Sequence, residues 1–131
     1  MVFDLHTHST CSDGTTRPAE NVALAARAGL RGVALTDHDT TAGWDEAAQA
    51  CDEHGVELVP GVELSTELGE RGVHILGYWV DPAHPEFAAE CDRLRLERER
   101  RAAAILARLA SLGVEVSMDA VRGSAAGAPV G

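Results

Sequence analysis

The chain has 131 residues, 45% of them hydrophobic and 4% aromatic, which is enough for one domain with a mainly aliphatic core. Its net charge of −10 is uneven, because residues 1–92 carry −13 and residues 93–131 carry +3. The acidic first part argues against a duplex-DNA surface built from basic patches, and the lack of lysine excludes a phosphate-binding P-loop within these residues.

The cysteines and the apolar runs bear on the compartment. Cys11, Cys51 and Cys91 form no Cys-x-x-Cys pair, which indicates free thiols in a reducing compartment. The first residues do not resemble a signal peptide, and no apolar run approaches the length of a membrane span. We therefore expect a cytoplasmic protein without a membrane partner.

Strand and helix patterns alternate along the first 80 residues. The predicted elements are a strand at 2–5, a helix opened by Pro18 with Thr16 or Arg17 near its cap, a strand at 32–36, a helix at 42–53, a strand at 56–64 broken by Pro60-Gly61, and a strand at 73–80. This order predicts an α/β fold with parallel strands.

The remaining residues have a different character. A long helical pattern covers 85–112, with a charge run at 98–101, and a short helix is predicted at 117–121. We expect three segments: 1–80 with the site motifs, 81–122 as a helical part of the same or an inserted subdomain, and 123–131 as a mobile tail rich in small residues.

Residues that commonly bind metals gather where the predicted strands end. His6 and His8 are two apart, so on an extended strand they project from the same face and suit a shared divalent metal. Asp13 follows on the next loop, where an ordinary Asp-Gly turn is the alternative. His38 ends the second strand between two aspartates.

Two further residues lie inside apolar strands. Glu63 stands between Val62 and Leu64, where a buried carboxylate without a cation is costly, so we predict that it bridges two metals. His74 stands in a similar position, and a hydrogen-bonded core histidine is its alternative. We do not expect His54 or His84 to be ligands.

Three aspartates near these ligands are predicted to orient the imidazole rings through hydrogen bonds; they are Asp4, Asp37 and Asp39. For Asp39 the alternative is a helix cap, a role that Thr40 could also take.

Four sequence stretches together resemble one family. They are DLHTHS at 4–9 with SDG at 12–14, TDHD at 36–39, PGVE at 60–63 and HILGY at 74–78. In this order they resemble the motifs of the PHP (polymerase and histidinol phosphatase) family, strongly over residues 2–80 and loosely beyond.

The resemblance implies a fold and a metal centre. PHP proteins have a distorted (β/α)7 barrel, of which this chain would be an incomplete N-terminal portion, and up to three divalent metals, for which histidine and carboxylate ligands suit manganese, zinc or iron. By that resemblance, His6 and His8 bind the first metal, and Asp13 and His38 bind the second. Glu63 bridges the first and third, and His74 joins the third.

The subgroup that the chain most resembles contains nucleoside 3′,5′-bisphosphate phosphatases and 5′-to-3′ exoribonucleases. It implies hydrolysis of phosphate esters of small nucleotides or short RNA by a metal-activated water. The family's later His-Pro and Asp-x-His ligands do not follow His74, so a catalytically silent structural or interaction module is an alternative, as is an amidohydrolase-like metal hydrolase. We also expect an incomplete barrel to self-associate.

Overall fold

The computed structural model describes residues 2–69 and 71–125. In chain order its elements are β1 (Phe3–Thr7), α1 (Pro18–Arg27), β2 (Gly32–Leu35), α2 (Trp44–His54), β3 (Glu57–Leu68), β4 (Arg71–Tyr78), α3 (Pro85–Ser111) and α4 (Met118–Ser124). The four strands form one sheet in the order β1-β2-β3-β4. The predicted α/β class is confirmed.

The sheet is mixed, which corrects the prediction of parallel strands. β1, β2 and β3 are parallel, as expected for strands joined through α1 and α2, but β4 runs antiparallel to β3. Only two residues separate Leu68 from Arg71, and Gly69 has a left-handed φ of 65°. Such a short connection makes a hairpin, because a parallel crossover needs a dozen residues or more.

β3 is not broken at Pro60-Gly61, contrary to the prediction; it changes its partner there. Up to Pro60 the strand pairs with β2, and from Gly61 onward it pairs with β4. A Cβ atom at position 61 would lie 2.7 Å from Thr36 Cγ2 and 3.0 Å from Tyr78 Cδ1. Glycine therefore permits the close approach at which the strand passes from one partner to the other.

The core lies between the sheet and the first two helices. α1 begins at Pro18 with Arg17 as its N-cap, as the sequence predicts, whereas α2 begins at Trp44, two residues later than expected. The two helices pack on each other and on β2 through small and branched side chains: Val22, Ala25, Val33, Leu35, Ala47, Ala50, Cys51 and Val56. Small alanine side chains let the helices approach the strands that carry the site.

The last two helices are more exposed. The structure describes all 27 residues of α3, and its buried residues are Cys91 and Leu94. α4 begins where predicted, with Ser117 Oγ accepting a hydrogen bond from the Ala120 amide, and runs to Ser124. Of the predicted tail, residues 126–131 lie outside the described part of the chain. No helix in the described ranges is both long enough and apolar enough to cross a bilayer.

Candidate metal centre

The pairing of the strands gathers the six predicted ligands at one end of the sheet. His6 lies near the end of β1 with His8 just beyond it, and a short parallel bridge joins His38 to Glu63 of β3. His74 on β4 is two residues from Leu76, the partner of Glu63, so both side chains project from the same face. Asp13 approaches from the loop after β1.

Glu63 is the centre of the cluster. Its Oε2 lies 2.8 Å from His6 Nε2 and 2.9 Å from His8 Nε2, while its Oε1 lies 2.7 Å from His74 Nδ1. Only 5% of Glu63 is exposed, although the His74 side chain is 51% exposed. The alternative of a core histidine is therefore wrong for His74.

Asp13 defines the other side of the cluster. Its two carboxylate oxygens lie 3.2 Å from His8 Nδ1 and 3.5 Å from His38 Nε2. Glu63 Oε2 is 3.8 Å from the same His38 nitrogen. His38 Nε2 therefore faces both carboxylates, with an oxygen of Asp13 and an oxygen of Glu63 each within 3.8 Å.

Three groups of side chains within the described residues have ligand atoms close enough to hold a cation. They are His6–His8–Glu63, His8–Asp13–His38 and His38–Glu63–His74, with the ligand atoms of each group within 4.8 Å of one another. Glu63 belongs to two of these groups, as do His8 and His38. The shared carboxylate is consistent with the bridging role that the sequence suggests.

The first group has spacings that fit a divalent metal. The Nε2 atoms of His6 and His8 are 3.0 Å apart and each lies within 2.9 Å of a Glu63 oxygen. Ligands at right angles, each about 2.0–2.1 Å from a metal, are separated by about 2.9 Å. A divalent cation at this point would be bound by the carboxylate and by the unprotonated nitrogen of each imidazole ring.

The two nitrogens of His38 differ, because Nε2 faces Asp13 and Glu63. Its Nδ1 is buried and has no hydrogen-bond partner among the described residues. Burial lowers the pKa of His38 below its ordinary value, and the nearby Arg98 charge acts in the same direction, against the opposing effects of Glu63 and Asp13. The ring is therefore neutral near pH 7, which is the form that binds metals.

The environment of Glu63 keeps its carboxylate ionised. Burial acts to raise the pKa of Glu63, but the hydrogen bond from His6 and the charges of His38, His6 and His8 together bring it below its ordinary value. The result is an anionic side chain in a nearly enclosed position.

Asp37 binds the loop after β1 and not an imidazole ring, which corrects its predicted role. Its buried carboxylate accepts hydrogen bonds from the Ser9 amide at 2.7 Å, from Ser9 Oγ at 2.7 Å and from Ser12 Oγ at 2.6 Å. These bonds fold the loop that carries His8 and Asp13. Asp37 therefore acts on those ligands through the backbone.

Asp39 and Asp4 also differ from their predicted roles. Asp39 accepts hydrogen bonds from the Ser65 amide and from Arg98, while the N-cap of α2 is Gly43, so the alternative of a helix cap is wrong as well. Asp4 accepts a bond from the backbone amide of His6. Each of these two carboxylates therefore accepts a hydrogen bond from a backbone amide near a candidate ligand.

Sequence reasoning missed the partners of these aspartates: Ser9, Ser12, Ser65 and Arg98. The serines belong to recognisable stretches, yet a serine in a loop has many possible partners. Arg98 lies in a charge run and is separated from Asp39 by 59 positions, so no local signal connects them. His54 and His84 belong to none of the three ligand groups found among the described residues.

Comparison with known proteins gives a consistent picture. The family model described as "PHP domain" matches residues 4–119. The chain is 43% identical to a 5′-3′ exoribonuclease of Haemophilus influenzae, over 95% of this chain and 46% of that protein. It is 41% identical to a 3′,5′-nucleoside bisphosphate phosphatase of Chromobacterium violaceum, over 89% and 41%. The chain thus spans less than half the length of these curated relatives.

Solved structures agree on the fold. A predicted metal-dependent phosphoesterase from Bifidobacterium adolescentis superposes with a TM-score of 0.90 at 36% identity, over 98% of this chain and 46% of that one. A Chromobacterium violaceum structure described as an amidohydrolase, with sulfate bound and no metal, gives a TM-score of 0.83 at 41% identity, over 89% and 41%. The four strands and their helices correspond to part of a larger α/β barrel.

Proposed function

Since the chain belongs to the PHP domain family, we propose that it carries the metal centre of a phosphoester hydrolase acting on small nucleotides or short RNA. The observation that carries this proposal is the buried Glu63, whose two oxygens lie against imidazoles of separate ligand groups. A carboxylate in that position serves two cations and reduces their mutual repulsion.

The ligand assignment is part of the proposal. His6 and His8 would hold one metal together with Glu63. Asp13 and His38 would hold a second metal. Glu63 and His74 would hold a third. Neutral histidine and carboxylate ligands suit manganese, zinc or iron. Divalent cations would supply positive charge to phosphoryl oxygens and lower the pKa of an attacking water.

The chain's own side chains would set the geometry of the reaction. Glu63 is held inside β3, and the loop with His8 and Asp13 is tied to Asp37, so the ligands are positioned before a substrate arrives. Such preorganisation lets charge stabilisation act without reorganisation of the protein. The half-exposed His6 and His74 form the open side through which a phosphate would approach.

The names of the relatives support a phosphorylated substrate. Two of them are a nucleoside bisphosphate phosphatase and an exoribonuclease, and the Chromobacterium structure holds sulfate, a tetrahedral anion like phosphate. The term amidohydrolase for that structure keeps amide hydrolysis as the competing activity. A silent PHP module is the other competitor, and it would not turn over any ester.

Phosphate release from a nucleoside 3′,5′-bisphosphate tests the proposal. The 131-residue chain and the longest gene product containing it are assayed with Mn²⁺, with Zn²⁺ and with chelator, beside an N-acetylated amino acid as the amide substrate. We expect chelator-sensitive phosphate release from the longer product and weaker release from the chain. Preferential amide cleavage would favour the amidohydrolase, and no turnover with any metal would favour the silent module.

A further inference from the structure

Arg98 of α3 joins the metal centre through a buried ion pair. Its Nε donates to Asp39 Oδ2 at 2.9 Å and its Nη2 donates to Ser65 Oγ at 2.7 Å. The Asp39 side chain is fully buried and that of Arg98 is 14% exposed. A shielded, two-point contact of this kind is geometrically specific, unlike a solvated surface pair.

Asp39 connects this pair to the ligands on either side. It follows His38 directly, its amide donates to the Glu63 carbonyl at 3.0 Å, and its carboxylate accepts from the Ser65 amide at 2.8 Å. Asp39 also has a left-handed φ of 54°, which few residues other than glycine adopt. The turn that follows His38 is therefore held by bonds to β3 and to Arg98.

Ser65 extends the connection to the fourth strand. It lies two residues after Glu63 and pairs with His74 in the β3–β4 register. Its hydroxyl contacts both Asp39 and Arg98. One arginine thus contacts the two residues that fix the backbone beside His38, Glu63 and His74.

The position of Arg98 on its helix supports a specific docking. Cys91, Leu94 and Arg98 are spaced by three and four residues, so they share one face of α3, and Cys91 and Leu94 are its buried residues. Arg93 and Arg95, in contrast, pair with acids on the same helix. Among these three arginines, Arg98 alone is paired with a residue of the site.

We propose that Arg98 is a positioning residue of the metal centre, which fixes the spacing of His38 and Glu63 through Asp39 and Ser65. This inference rests on the proposed function, because it assumes that those ligands bind a divalent metal. It also predicts whether cation affinity rises or falls when Arg98 is replaced. Removing a positive charge beside a cation site should tighten cation binding by Coulomb's law, whereas loss of ligand positioning should weaken it.

The affinity of the full 131-residue chain for Mn²⁺ distinguishes the charge effect from the positioning effect. It is measured by electron paramagnetic resonance, which detects free Mn²⁺. The variants are Arg98→Met, which keeps the apolar stem, Arg98→Lys, which keeps the charge, and the control Arg101→Met, an exposed arginine of the same helix. We expect a rise in Kd of about ten- to a hundredfold for Arg98→Met. Arg98→Lys should recover part of the loss, and Arg101→Met should stay within about twofold of wild type.

The absorption spectrum of bound Co²⁺ gives a second readout, since its ligand-field bands should change in Arg98→Met and stay unchanged in Arg101→Met. Mn²⁺ binding by Arg98→Met as tight as that of Arg101→Met, or tighter, overturns the inference and leaves the proposed function standing. If Arg98→Met does not fold, as judged by circular dichroism, a wild-type Kd in Arg98→Lys overturns it. A wild-type chain that binds no Mn²⁺ overturns both.

Discussion

At the residue scale, Glu63 and His38 were identifiable as candidate ligands because their types contradict their surroundings, whereas His6 and His8 were identified by their spacing and Asp13 by its position on the following loop. Glu63 follows an apolar run and His38 ends another, and polar residues in those positions call for a partner. The roles of Asp37 and Asp39 were not identifiable. Their partners lie 25 to 59 positions away along the chain, and only the folded loop and α3 bring them together.

Glu63→Gln tests the shared carboxylate. The change keeps the side-chain volume but removes the charge that faces His6, His8 and His74. We expect bound metal per chain to fall by more than in His74→Ala, because His74 is in one ligand group and Glu63 is in two. Elemental analysis of both variants after dialysis against Mn²⁺ measures the difference. Full metal content in Glu63→Gln together with a loss in His74→Ala would show that Glu63 does not bridge.

The metal-free fold should lose stability on acidification. The pKa of His38 is lowered on folding, so the unfolded chain binds more protons than the folded chain as the pH falls through the ordinary imidazole range. Glu63, whose pKa is also lowered, adds a loss of the same sign at more acidic pH. With chelator present, the urea concentration at the midpoint of unfolding should be lower at about pH 5.5 than at about pH 7.5. These two pH values lie on either side of the ordinary histidine range.

His38→Gln is the matched variant for that experiment. It removes the buried titrating ring while keeping a polar side chain, so the drop over the same pH interval should become smaller. An unchanged drop would mean that other groups cause the acid sensitivity.

At the element scale, the strand-helix order was predictable from periodicity, and the direction of β4 was not. The sequence marks Pro60-Gly61 as an interruption, but whether a strand ends or changes its partner there depends on the close approach of Tyr78. Likewise, a two-residue connection indicates a hairpin only when the ends of both strands are known. The sequence pattern placed the end of the third strand at Leu64, four residues before its observed end at Leu68, so the short connection was not visible.

The loop between β1 and α1 provides the element-scale prediction. A Cβ atom on Gly14 would lie 2.5 Å from the His8 carbonyl oxygen, so Gly14→Ala must shift the backbone that carries His8 and Asp13. We expect weaker Mn²⁺ binding and a loss of about 1–3 kcal/mol in unfolding free energy. Gly72→Ala, where no atom lies within 4 Å of the added methyl, is the control and should bind metal as wild type does. Equal Mn²⁺ affinity in both variants would contradict the prediction.

At the scale of the whole molecule, apolar side chains remain exposed within the described residues. Leu5, Val73 and Ile75 lie on the two edge strands of the sheet, and Leu96, Ile105 and Leu112 lie on or just beyond α3. Exposed apolar surface beside unpaired strand edges favours association. The exposure of these residues could not be predicted from the sequence, because apolar residues at the same spacing also occur in helices and strands that are packed in a core.

We therefore expect the 131-residue chain to self-associate. Its sedimentation coefficient should rise with concentration over the micromolar range, and replacing Ile105 and Leu112 with Glu should reduce that rise. A concentration-independent monomer with a sharp cooperative melt would contradict this expectation.

The most direct test of the metal centre is an anomalous difference map from a crystal of the chain soaked with Mn²⁺. The proposed function predicts a peak at coordination distance from the Glu63 carboxylate and from the Nε2 atoms of His6 and His8, with any further peaks beside Asp13 and His38 or beside His74. A map at saturating Mn²⁺ with no peak at Glu63, or with peaks only among other residues, would contradict it.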